Sequence, residues 1–205
     1  MTRRTQAERS EATTADLVAA AEQLFGRDGY AATTMEAVAA AAGVTKGAAY
    51  HHFRTKAMVF RVVFTREQQR IAAMLEQAAG EEPDSWSGLL RGCQTFLEHC
   101  LDPRFRQIVL LDGPSVLGWE AVREIDYEHT LRVLTGAMRS AAADGRIVGG
   151  DLDARCQLIF GALCQAGMHL ARSGDPAGRL PAVVTEAHRL LGSLAPGSPD
   201  GDHRR

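Results

Sequence analysis

The stretch from Thr33 to Lys56 constrains this chain more than any other part of it. Thr33-Thr34-Met35-Glu36 has the form of a capping box, in which a threonine oxygen accepts from the first turn and a glutamate three residues on reaches back. It predicts a short helix over 34–42, with Thr33 as the cap. Gly43-Val44-Thr45 breaks that helix, and Thr45 caps a second short one over 46–52. Ala37, Val38 and Ala41 face inwards from the first helix, Val44 plugs the turn, and Ala48 or Ala49 joins Phe53 from the second. Such small side chains let two helices cross closely at a steep angle. Gly43 suits the left-handed turn between them, where a Cβ would clash. The expected unit is a helix-turn-helix.

The rest of the chain also reads as helix. It is rich in Ala and Leu and poor in alternating β-branched runs, so the fold class is all-α. A first helix over 11–27 carries Leu17, Ala21, Leu24 and Phe25 on one face and stops at Asp28-Gly29. A longer helix begins at Lys56 and runs towards residue 79, with Val59, Phe60, Val62, Val63 and Phe64 as core candidates. After the polar break Gly80–Ser85, helices are expected over 85–101, 103–111, 114–143, 152–173 and 176–194, set apart by Pro- and Gly-bearing turns. Residues 195–205 are rich in Gly, Pro and Asp and read as a disordered tail.

The outward chemistry of the second short helix suits DNA. Thr45, Lys46 and Gly47 form its N-terminal end, where free N–H groups and the helix dipole favour phosphate and a glycine allows close approach. Tyr50, His51 and His52 follow, able to donate to phosphate oxygens while their rings pack on sugars. His52 ranks below His51 because it falls at the edge of the core. Lys56 adds a charge on one flank, and Thr33 or Thr34 offers a hydroxyl on the other. Tyr30 is expected to pack behind the first helix. Charge placement agrees. The first 70 residues hold ten Lys and Arg against seven Asp and Glu, whereas the remainder holds thirteen against eighteen, within a net charge of −2.

The run Gly29-Tyr30-Ala31-Ala32-Thr33-Thr34, then Val38-Ala39, Ala42-Gly43-Val44-Thr45-Lys46-Gly47, Tyr50-His51-His52-Phe53 and Lys56, resembles the DNA-binding segment of the tetracycline-repressor (TetR) family. That resemblance implies a three-helix DNA-binding head, a larger helical body for ligand binding and dimerisation, and repression relieved by a small molecule. It implies base or phosphate contacts for Thr45, Lys46 and Gly47. It implies phosphate contacts for Tyr50, His51, Lys56 and either Thr33 or Thr34. Ala48-Ala49 departs from the Thr-Leu or Ser-Ile common in the family, which leaves base readout thin. The expected organisation is a DNA-binding domain over 1–64, a ligand and dimer domain over 65–195, and a tail over 196–205.

Within the body, Phe96, Phe105, Asp112, Trp119, Tyr127, Met168 and His169 are candidates to line an effector pocket, apolar walls with a few polar anchors being how such pockets are built. Asp112 has a second reading, as cap of the helix that begins near Pro114. Wide apolar stripes on the last two helices, including Leu158, Ile159, Leu163, Val183, Leu190 and Leu191, suggest a homodimer. A dimer also suits two half-sites on double-stranded operator DNA, about one helical turn apart.

Other classes find no footing. No nucleophile–base pair, metal cluster or phosphate loop stands at telling spacing, so neither enzyme activity, metal nor cofactor is expected. Cys93, Cys100, Cys156 and Cys164 form no C-x-x-C pair and read as reduced thiols, which with the polar N-terminus points to the cytoplasm. No apolar run approaches the ~20 residues that span a bilayer, so no membrane is expected.

Overall fold

A computed structural model describes residues 5–196, and the chain there is helical throughout, with no strand among the described residues. The order is α1 (Gln6–Ala32), α2 (Met35–Ala41), α3 (Lys46–His52), α4 (Lys56–Gly80), α5 (Ser85–His99), α6 (Pro103–Phe105), a π-helical segment (Arg106–Asp112), α7 (Gly113–Leu117), α8 (Trp119–Glu128), α9 (Thr130–Ala143), α10 (Leu152–Ala171) and α11 (Pro176–Gly192). Of the expected tail, the residues from 197 on lie outside those described. Among the described residues no helix is long and apolar enough to cross a membrane.

The chain forms two compact units. The first joins the residues up to Gln68 with Asp102–Ile125; the second joins Gln69–Leu101 with the chain from Asp126 on. In the first, α1 packs against α2, α6 and the π-helical segment, and α2 packs against α3. Leu17, Val18, Ala21 and Phe25 of α1, Val38 and Ala39 of α2, Ala49 of α3, and Val59, Phe60, Val63 and Phe64 of α4 make its core. Phe25, Tyr30 and Phe60 form an aromatic triangle with ring centroids 5.1–5.7 Å apart, two of its three pairs edge-on. In the second unit α5 and α9 pack together, α10 lies against both, and α11 lies against α5 and α10.

Several boundaries differ from the sequence reading, each for a local reason. The helix expected over 11–27 begins earlier, where Thr5 and Glu8 form a reciprocal capping box (Glu8 N–H to Thr5 Oγ1 3.3 Å, Thr5 N–H to Glu8 Oε2 2.6 Å). It does not stop at Gly29 but kinks there (φ 81°, ψ 165°) and runs to Ala32. The box expected at Thr33 and Glu36 does not form. Thr34 is the cap, accepting from Ala37 N–H at 3.1 Å, while the Thr33 hydroxyl donates to the Gly29 carbonyl at 2.8 Å. The segment expected as one helix over 114–143 is three, broken at Gly118 (φ 79°) and at His129 (φ −123°, ψ −91°). Residues 106–112 turn as a π-helix, a rare conformation in which each turn holds an extra residue.

Candidate nucleic-acid interface

The helix-turn-helix is built as its caps dictate. Thr45 Oγ1 accepts from Ala48 N–H at 3.2 Å and starts α3. Gly43 takes the left-handed conformation the turn needs (φ 68°), and the Val44 N–H returns to the Ala39 carbonyl at 3.0 Å. Ala49 is fully buried, so one face of α3 is pinned to the core and the opposite edge is turned to solvent.

That edge carries Thr45, Lys46, Gly47, Tyr50 and His51, all exposed. Lys46 Nζ lies 2.5 Å from Glu36 Oε1 and 5.9 Å from the centre of the Tyr50 ring. The hydrogen bond from Lys46 holds the Glu36 carboxyl below the usual carboxylate range, and the same bond raises Lys46. A Cβ at Gly47 would meet nothing within 4 Å, so nothing in the chain's own packing requires a glycine there. His51 is exposed, whereas His52 is half-buried and hydrogen-bonds through Nδ1 with Thr14 Oγ1 at 3.0 Å.

The flanking candidates divide. Thr34 is exposed at the start of α2, while Thr33 is 2% exposed and its hydroxyl is spent inside. Lys56 is half-buried. Its ammonium donates to the carbonyls of Tyr30 and Thr33, each at 2.7 Å, and sits 4.1 Å from the Tyr30 ring centre. Lys56 thus ties the end of α1 to the start of α4. The contact runs to carbonyls in another segment, so no local pattern announces it. The sequence reading also assigns Glu36 to the cap and so misses its pairing with Lys46.

The seven pocket candidates fall in both units. Phe105, Asp112 and Trp119 belong to the first unit; Phe96, Tyr127, Met168 and His169 belong to the second. Phe105 is buried, and Trp119 is 66% exposed beside the Arg123 guanidinium. The Asp112 side chain makes no cap to α7, contrary to its second reading; Oδ2 accepts instead from the Tyr30 backbone N–H at 2.8 Å and from Gln107 Nε2 at 3.0 Å. Tyr127 is exposed and its hydroxyl accepts from Gln157 Nε2 at 2.8 Å. Met168 is half-buried, and His169 is exposed with Nε2 3.4 Å from an Arg179 nitrogen. Of the seven, Phe96 alone lines the apolar pocket that α4, α5, α9 and α10 form in the second unit.

Comparison with known proteins fits this geometry. Residues 17–63 match bacterial regulatory proteins of the tetR family, and residues 86–194 match the tetracyclin repressor-like C-terminal domain. The chain is 24% identical over 181 residues to the TetC protein of transposon Tn10 from Escherichia coli, covering 87% of this chain and 91% of that one. It is 36% identical over 110 residues to the transcriptional regulator TtgR of Pseudomonas putida, covering 53% and 52%. A TetR-family transcriptional regulator from Pectobacterium atrosepticum superposes with a TM-score of 0.84 at 30% identity, covering 95% of this chain and 99% of that one. With both segments matched and the helix-turn-helix in place, the chain belongs to the tetR family of helix-turn-helix transcriptional regulators.

Proposed function

We propose that this regulator binds a two-fold operator in double-stranded DNA as a homodimer and leaves it when a small-molecule effector binds. The observation that carries the reading is the α3 edge, where one exposed line holds Thr45, Lys46, Gly47, Tyr50 and His51 above a buried Ala49. Laid in the major groove, Gly47 allows backbone approach and Lys46 meets a phosphate or base. Tyr50 and His51 donate to the DNA backbone alongside. Thr34 supplies the flanking hydroxyl, and Lys56 has one of its three N–H donors left for a phosphate after its two carbonyl bonds.

The dimer reading rests on α10 and α11. A groove of about 590 Å³ runs between them, lined by Ile159, Ala166, Val183 and Leu190 among others. Leu158 beside it is 74% exposed, a large apolar side chain that a second copy would cover. In this reading residues 1–64 bind DNA and residues 65–195 supply dimerisation and effector binding. The seven pocket candidates are offered with them. The effector prefers a body conformation in which the two heads are wrongly spaced, and its differential affinity lowers operator occupancy. The protein works in the cytoplasm, where its four free thiols stay reduced, and performs no catalysis.

The test is a mobility shift with DNA from upstream of the chain's own gene. A specific complex with a Kd of roughly 10 nM or tighter is expected. No sequence-specific shift at low salt would overturn the operator reading.

A further inference from the structure

The last residue of α3 is a histidine whose proton is held on one chosen nitrogen. Thr14 of α1 donates its hydroxyl to the Ser10 carbonyl at 2.9 Å, the back-bond of a helical threonine. A hydroxyl has one proton, and this one is committed. The same oxygen lies 3.0 Å from Nδ1 of His52, so there it can only accept. Nδ1 therefore carries hydrogen whether the ring is neutral or charged. In the neutral ring Nε2 is then an acceptor with no proton to give. Nε2 makes no hydrogen bond among the described residues and is not sealed in the core.

His52 follows Thr45 by about two helical turns, so it continues the line of α3 that begins at the exposed cap. No fixed counter-charge sits on the ring. His51 stands edge-on to it, with ring centroids 5.8 Å apart. On α1, Glu11 and Asp16 flank Thr14 in sequence, and Arg54 follows α3; all three are exposed and none pairs with His52. Lys56 of α4 turns its ammonium onto the Tyr30 and Thr33 carbonyls. A DNA phosphate offers only acceptors. The neutral ring would set acceptor against acceptor, whereas the protonated ring offers a charged N–H, the stronger kind of donor.

We propose that Thr14 is a positioning residue for DNA binding: it locks His52 in the tautomer protonated at Nδ1, so that Nε2 donates to a phosphate only once the ring is charged. The proposal deepens the operator reading above and rests on it. The contact is present when the ring is protonated and lost as pH rises through the histidine range. Operator affinity therefore falls with rising pH, and each subunit of the dimer contributes one such ring.

Fluorescence anisotropy with the duplex from upstream of the chain's own gene gives the operator Kd at about pH 6 and pH 8 for the native protein, Thr14→Val and Thr14→Ser. Native binding is expected to weaken about tenfold or more at the higher pH. Thr14→Val keeps the shape but removes the acceptor, so a neutral ring can carry its proton on Nε2. Its two Kd values come within about threefold of each other. Thr14→Ser restores the native profile. Thr14 has no charge of its own, so a changed profile reports its partner. Heteronuclear NMR of the DNA-free protein reads the tautomer directly, and the neutral His52 ring is expected to be protonated at Nδ1. A proton on Nε2, or a native pH profile shared by a folded Thr14→Val, overturns the proposal. Native operator binding that does not change with pH also overturns it and leaves the operator reading standing. No sequence-specific binding at either pH defeats the operator reading itself, and this contact with it. Should Thr14→Val not fold, the NMR tautomer and the native pH profile decide.

Discussion

The carboxylate of Asp112 accepts a hydrogen bond from the backbone N–H of Tyr30, 2.8 Å away and 82 residues earlier in the chain. The kink at Gly29 sets this N–H apart from the regular helical ladder, and Asp112 supplies the acceptor. Asp112 lies outside the matched segment 17–63 yet within the same compact unit as the helix-turn-helix. Asp112→Ala leaves the Tyr30 N–H and Gln107 without their acceptor and is expected to cost about 1–3 kcal/mol in urea unfolding. Asp112→Asn keeps an acceptor oxygen and loses less. Equal stability in all three proteins would contradict this role.

Lys56 is expected to behave as a structural tie before anything else. Removing its ammonium in Lys56→Met strands two carbonyls and a ring contact, at a cost of about 2–3 kcal/mol. Lys56→Arg restores only part, because a planar guanidinium does not reproduce the same paired reach. Thermal melts of the DNA-free protein measure the loss directly.

Gly47 separates stability from binding. Gly47→Ala places a methyl in open space on a helix, so the free protein gains about 0.5–1 kcal/mol. The same methyl crowds DNA and lowers operator affinity roughly tenfold. Parallel chemical denaturation and fluorescence anisotropy would show opposite signs; an unchanged operator Kd would remove Gly47 from the interface.

Glu36 restrains Lys46 in the free protein. Glu36→Gln is expected to tighten binding to any duplex about two- to fivefold by removing a competing anion. Lys46→Ala weakens binding across sequences and reduces the slope of log K against log salt by about 0.9. Affinities taken between roughly 50 and 200 mM salt separate the two effects.

A charge at the most exposed leucine tests assembly. Leu158→Glu is expected to give monomers by light scattering and to reduce operator affinity roughly 100-fold or more through lost bivalency. A dimer that persists unchanged would move the interface elsewhere.

How much of this was legible beforehand depends on how local the cause is. Thr45, Gly43 and Ala49 act within a few residues of themselves, so α3 and its turn could be read from order and spacing. The tandem Thr33-Thr34 misplaced the cap by one residue because either hydroxyl can cap a first turn, and Glu36 three residues on pointed to Thr33. The hydrogen bond back to Gly29 then buried the first of them. The break at His129 carries neither Gly nor Pro, so no local residue pattern announces it.

The π-helical segment Arg106–Asp112 has a consequence for the angular phase of the chain. An α-helix advances about 100° per residue, so accommodating one residue more per turn rotates everything beyond it around the axis. The wide turn is what aims Asp112 at the freed amide of Tyr30. Shortening residues 106–112 by a single residue would let the backbone relax into ordinary pitch and swing that carboxylate out of register, undoing at the level of chain length what no side-chain substitution would need to touch.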